Sequence, residues 1–239
     1  MSETNMPEWL AKDALDVGLF TNQLEPMLDF WQTEVGLAFD HMLPVGGGVR
    51  QHRHDHQGAV LKLNHARNPL PPKSEGGLQR LIIAKEGVTT PRDLSDPDGN
   101  QVQLVPLGFG GVDHWAIEIA TVDHATFLTH YRDRLGLPQD RRFPAAVRCG
   151  RSQIIGVGAP EIADQTDSDA MQRTGFRYST MQVFKVDSCH DQALARGAAE
   201  GAAPMTLGKT ARISFLKDHH GNWMELSQRA SITGSLTPG

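Results

Sequence analysis

Cysteine is scarce in this chain of 239 residues: only Cys149 and Cys189 occur, without CxxC spacing, which excludes a disulfide framework or a cysteine-rich zinc module. A chain this long buries a sizeable core without such staples, as one large domain or as two of roughly 110–120 residues. A single bridge is open to the two thiols, but two unpaired thiols in a reducing compartment is the simpler expectation. No apolar run approaches the length of a membrane span, so no partnership with a membrane is expected. Positive charge is also lacking: 23 Lys and Arg face 28 Asp and Glu, and no dense basic stripe marks a nucleic-acid surface. The first fifteen residues, MSETNMPEWLAKDAL, carry acids and no continuous apolar core, so they do not read as a secretion signal, and the cytoplasm is the expected location. The GxSxG elbow, the GxxxxGK[ST] phosphate loop and the GxGxxG fingerprint are all missing. Cys189 and His190 are neighbours on a short helix and face apart, so no cysteine nucleophile is expected.

What is present is a repeated pattern of strands and helices. Residues 15–20, LDVGLF, read as a strand, and Leu24, Met27, Leu28, Trp31 and Val35 then recur at helical spacing. Strand, turn and strand are expected over 46–65, a Pro- and Gly-rich loop over 65–77, a strand at 78–84, and a DPDGN turn into a short strand. No helix of ordinary length fits between Ala84 and Asp96. The pattern restarts near Gly110: strand 113–120, helix 125–137, strands at 143–148 and 152–158, and a polar linker over 161–175. A strand from Phe176, a helix capped by Gly197, and a strand–turn–strand over 211–228 close the chain.

The repeat is visible in particular residues. NQVQL at 100–104 and NWMEL at 222–226 follow the turns DPDG and DHHG, and FWQTEVGL at 30–37 corresponds to HYRDRLGL at 130–137. Such duplication means two copies of one elaborate unit. A strand, a helix ending in this LGL-type signature and a closing D-x-x-G-N-x-x-E-L strand resemble the vicinal oxygen chelate superfamily, which includes glyoxalases, bleomycin resistance proteins and extradiol dioxygenases. The likeness covers 15–106 and 112–228. It implies an α+β fold of paired βαβββ modules forming two incompletely closed mixed-sheet barrels, the first domain abbreviated. The expected division is 12–107, 110–230 and a flexible tail over 231–239.

Strand alternation turns Trp115, Ile117 and Ile119 to one face and His114, Ala116 and Glu118 to the other; in the last strand it groups Trp223, Glu225 and Ser227. The resemblance implies metal ligands at His114 and Glu225, where metal-dependent relatives carry His or Gln and Glu. Gln153, on a strand where glyoxalase and epimerase relatives place Glu or Gln, could add a carbonyl oxygen. Tyr178 stands where extradiol enzymes have a further histidine, so its phenol is a candidate acid or hydrogen-bond donor, with a core tyrosine as the alternative. Thr180 shares its face, and Trp223 could stack on a substrate. In the first repeat the matching positions, Asp16, Gln79 and Gln103, make a thin ligand set. His52, His54 and His56 share one face if their segment is a strand, although an exposed hairpin accounts for them equally well.

Relatives use a divalent ion to chelate two neighbouring substrate oxygens and stabilise an enolate or catecholate. The resemblance implies Fe(II) first, with Mn(II), Ni(II) or Zn(II) as alternatives, and a small-molecule substrate. An extradiol-type ring-cleaving dioxygenase leads, a glyoxalase-like lyase or epimerase follows, and a metal-free small-molecule binding protein with His114 bonded directly to Glu225 is the reading of a different class. A homodimer is an open assembly state.

Overall fold

The computed structural model describes residues 6–73, 77–159 and 171–236. Strand β1 (Asp16–Thr21) is buried along its whole length and leads into α1 (Leu24–Asp29), which widens into a π turn at Phe30–Glu34. Its counterpart α2 (His124–Leu128) is capped by Asp123, whose carboxylate accepts from Thr126 N at 2.7 Å, and widens in the same way at Thr129–Arg134. The repeated glycine of the two signatures ends both helices: Gly36 and Gly136 take φ of 73° and 76°, a left-handed conformation that suits glycine. Leu37 and Leu137 then turn back into the core.

The remaining strands of the first half are β2 (Ala38–Gly46), β3 (Val49–His56), β4 (Ala59–Ala66), β5 (Leu78–Ala84), β6 (Arg92–Ser95) and β7 (Gln101–Val105). The second half supplies β8 (Trp115–Thr121), β9 (Ala146–Cys149), β10 (Ser152–Gly158), β11 (Gly175–Gln182), α3 (Val186–Ala195), β12 (Ala199–Leu207), β13 (Ala211–Lys217), β14 (Trp223–Arg229) and α4 (Ala230–Thr233). They form two mixed sheets, each an incompletely closed barrel: an eight-stranded one in the order β12-β13-β14-β11-β1-β4-β3-β2, and a six-stranded one in the order β6-β7-β5-β8-β10-β9. The abbreviated modules share the smaller sheet, and β5 runs to β6 without a helix, as expected.

Each sheet draws on both halves of the chain. The larger joins β1–β4 to β11–β14 through the antiparallel pair β1·β11, and the smaller joins β5–β7 to β8–β10 through β5·β8. The repeats 12–107 and 110–230 therefore do not each close a sheet of their own; the inner module pair is nested within the outer one. The short connection from β7 to β8 makes the inner pair neighbours in space, leaving the outer modules to find each other.

Three strands escape sequence patterning. β2 and β12 carry Pro44 and Pro204 and form the two edges of the larger sheet, where proline costs no ladder hydrogen bond and exposure removes the apolar alternation. β6 has only four residues and is likewise an edge. α4 reaches into the segment expected to be a flexible tail, and Gln228 Nε2 donates to Ser235 O at 2.8 Å. Of the expected linker over 161–175, residues 161–170 lie outside the described residues.

The duplicated DxxGN turns prove to be structural clamps. Asp96 accepts from Asn100 N and Nδ2 at 2.8 and 2.7 Å, and Asp218 repeats this with Asn222 at 2.9 and 2.8 Å. Close approach explains a further glycine: a Cβ on Gly18 would lie 2.1 Å from the Tyr178 ring. Gly18→Ala is expected to cost about 1–3 kcal/mol in urea unfolding. A change below about 0.5 kcal/mol, the level of an ordinary neutral surface substitution, would mean that the ring moves aside freely.

Candidate functional site

In the larger sheet the residues opposite the core form a polar floor. Strand register brings Asp16 beside Thr180, Thr180 beside Glu225, and Arg53 beside Lys62. The apolar alternates Val17, Leu61, Leu63, Met224 and Leu226 face the core. Lys62 Nζ donates to Glu225 Oε2 at 2.6 Å and to Thr180 Oγ1 at 2.7 Å, and Thr180 Oγ1 donates to the same carboxylate oxygen at 2.8 Å. The Lys62 side chain is 3% exposed and that of Glu225 10%, so this is a buried ion pair. Burial pushes the Lys62 ammonium below the ordinary lysine range, against the opposing pull of Glu225 and Asp16.

Asp16 is held by Lys12, by Val60 N at 2.9 Å and by Gln182 Nε2 at 3.0 Å. Burial works against its charge, but Lys12, Lys62 and Arg53 outweigh it and keep the carboxyl below its usual value. Tyr178 Oη accepts from Asn64 Nδ2 at 3.2 Å and Gln51 Nε2 at 3.4 Å, while Arg53 Nη1 donates to Gln51 Oε1 at 3.0 Å. Burial, helped by the Glu225 charge, raises the Tyr178 phenol far above its ordinary value, so it stays protonated. Above this floor lies a cavity of about 370 Å³, its polar side formed by Gln51, Lys62, Glu225, Ser227 and Arg229 and its apolar side by Leu43, Pro44, Val45, Leu207 and Ile213.

Of the residues singled out in the sequence, Glu225, Thr180 and Tyr178 meet in this site. Trp223 lies in the adjoining cluster with Phe20 and Tyr178, its ring 4.4 Å from Lys217 Nζ. His114 and Gln153 are elsewhere, on the smaller sheet. Ser152 Oγ accepts from Leu15 N at 3.0 Å, which leaves its proton for His114 Nδ1 at 3.2 Å. His114 Nε2 then donates to His56 O at 3.0 Å, and the His56 ring stacks at 5.1 Å. Burial, then His56, lowers His114 to about 4, so it is a neutral structural imidazole with both nitrogens engaged. Gln153 Nε2 donates to Asp140 Oδ2 at 2.9 Å. The structure thus does not bring His114 and Gln153 to Glu225, nor His114 into a direct bond with it.

His52, His54 and His56 do lie on one strand, β3, and His54 Nε2 sits 3.0 Å from Gln32 Nε2. Among the described residues no group of three or more His, Cys, Asp and Glu side chains converges on a metal position. Burial raises Cys149 to about 12 and Cys189 to about 11, so neither offers a thiolate at neutral pH.

Sequence reasoning missed Lys62, Arg53, Arg229 and the part played by Asp16. A signal existed in AVLKLNH, where Lys62 and Asn64 share one face of a strand whose other face is Leu61 and Leu63. What the sequence could not show is that the first module pairs with the fourth, which sets Asp16 and Lys62 opposite Thr180 and Glu225.

Two nested module pairs curled in this way constitute the vicinal oxygen chelate fold. The chain is similar to glyoxalase I from Zea mays, with a TM-score of 0.69 at 11% identity over 90% of this chain and 92% of that one. It is also similar to a candidate dioxygenase from Bacillus subtilis (TM-score 0.62, 8% identity, 94% and 90% covered) and to the cppA protein of Streptococcus pneumoniae (TM-score 0.53, 11% identity, 90% and 98% covered). No protein-family profile and no curated protein sequence matches the chain. At these identities the likeness is one of fold.

Proposed function

We propose that the chain acts on a small molecule with neighbouring oxygens in the cavity of the larger sheet, with the Lys62 ammonium polarising a carbonyl and Glu225 moving a proton. One observation supports this reading above others: the buried Lys62–Glu225 pair lines the cavity with an open position on each partner. Thr180 and Glu225 take two of the three ammonium protons. Glu225 Oε2 is doubly engaged, whereas Oε1 accepts no hydrogen bond among the described residues.

A divalent ion does not fit this donor set. Oε2 is already filled by Lys62 and Thr180, and a second cation beside a buried ammonium would meet strong repulsion. The ammonium serves in its stead: an N–H aimed at a carbonyl oxygen stabilises the negative charge that develops as the adjacent carbon loses a proton. Glu225 Oε1 accepts that proton and returns it to the same or a neighbouring atom, which is the chemistry of an epimerase or isomerase. Extradiol ring cleavage would need His114 and Glu225 on one ion, and they are held in separate sheets.

The test is deuterium exchange by proton NMR, in heavy water with a chelator, over a panel of 2-oxo acids, their methyl esters and 2-hydroxy ketones. Wild-type protein should catalyse exchange at the carbon beside the carbonyl, and Glu225→Gln should slow it by about 100-fold or more, the usual scale for a general base. Exchange that requires added Fe(II) or Mn(II) would restore the metal-dependent reading. Binding without exchange would leave a small-molecule binding protein.

A further inference from the structure

Two arginines of the larger sheet take no part in the chemistry just described. Arg229 closes β14 and lines the cavity with Ser227 and Glu225, yet its guanidinium forms no hydrogen bond or ion pair with a described side chain. Arg53 is 5% exposed; its Nη1 binds Gln51, while its Nε is buried without a partner. It projects from β3 beside Lys62, on the same side of the sheet. Lys62, Arg53 and Arg229 thus face the carboxylates Asp16 and Glu225, with Asp40 also within electrostatic reach of Arg229, and Asp16 is shared with a fourth cation, Lys12. Burial, then Arg53, lowers the Arg229 guanidinium below its ordinary range against the opposing pull of Glu225, Asp16 and Asp40, so the two guanidinium groups sense each other.

We infer that the ligand of this cavity is a carboxylic acid with an aliphatic body, its carboxylate meeting Arg229 on the cavity wall while the Arg53 charge behind Gln51 adds to the attraction. The inference rests on the cavity being the functional site and adds the class of molecule it takes. A cavity-lining guanidinium with no carboxylate hydrogen-bonded to it matches a ligand carboxylate in charge and in hydrogen-bonding geometry. Leu43, Pro44, Val45 and Ile213 supply the apolar wall for the rest of the molecule. An uncharged analogue of the same shape leaves the surplus positive charge uncompensated and binds less well.

The probes are 4-methyl-2-oxopentanoate and its methyl ester, compared by titration calorimetry and by the exchange assay. Wild-type protein should bind the acid at least tenfold more tightly than the ester, with the difference shrinking at high salt. Arg229→Gln should erase most of that preference without changing the circular dichroism spectrum, and Arg229→Lys should keep part of it. Arg53→Lys, which preserves the buried charge behind Gln51, should keep the preference for the acid.

Equal affinity for acid and ester in the wild type, or an undiminished preference in Arg229→Gln, would overturn the carboxylate assignment. In that event Glu225-dependent exchange on the ester would leave the cavity reading standing. Neither binding nor exchange with either probe would overturn both.

Discussion

Glu225→Leu is expected to lower the free energy of unfolding by about 3–5 kcal/mol, because it strands the Lys62 ammonium in a buried site. Thr180 remains as a hydrogen-bond acceptor, and Asp16 still attracts the charge, but neither replaces the direct 2.6 Å pair. Lys62→Met should also be costly, since the carboxylate then stays buried with Thr180 alone on Oε2. Lys62→Met combined with Glu225→Leu should cost much less than the two single changes added together: desolvation of two charges is relieved at the same time as their attraction is lost. Urea denaturation of the four proteins checks this. Strict additivity would show that the pair is not coupled and would remove the basis for treating it as one functional unit.

Acidification from pH 6.5 towards 4 should destabilise the protein steeply. Burial is the main cause of the depression of His54, His114 and His130, each lowered from an ordinary 6.5 to about 4. A histidine whose folded value is depressed takes up its proton first in the unfolded chain. Its contribution is therefore complete above about pH 6.5 and drains away as pH falls towards 4. Three such groups give a slope of about 4 kcal/mol per pH unit at most. Asp96 acts in the opposite sense, because burial raises it to about 6 and the folded protein then binds a proton before the unfolded chain does. Stability measured by urea at pH 7, 6, 5 and 4.5 should fall throughout. His130→Phe should flatten the curve by about one proton's worth, since both ring nitrogens of His130 are buried without partners. A flat profile between pH 6.5 and 5 would mean that these histidines are solvated in solution.

The fold was largely legible because its signals are local. The glycines of VGL and LGL end two helices in the same left-handed conformation, and the Asp and Asn of DPDGN and DHHGN clamp two turns alike. Alternation sorted Trp115, Ile117 and Ile119 from His114, and Met224 and Leu226 from Glu225, onto the faces they occupy. β2 and β12 were illegible for a physical reason: an edge strand half in solvent, with a proline, has no pattern to display. The site was read only in part. Glu225, Thr180 and Tyr178 lie together on the polar floor of the larger sheet, but His114 was matched to Glu225 on the assumption that each repeat closes on itself. Which module pairs with which is decided by contacts across more than a hundred residues, such as Lys62 with Thr180, separated by 118 positions. No window of sequence contains such a contact.

The nesting of one module pair within the other also sets an order of events during synthesis. The inner sheet is complete once β10 has emerged, whereas β1–β4, though paired with one another, leave the outer edge of β1 open until β11 arrives. Until then Lys62 and Asp16 have no Thr180 or Glu225 beside them, and the first module presents an unfinished edge. Closing so long a loop is slow. A nascent chain of this kind gains most from a chaperone that shields its N-terminal quarter: a truncation that stops before β14 removes Glu225 from the site, and one that stops before β11 also leaves β1 as an open edge.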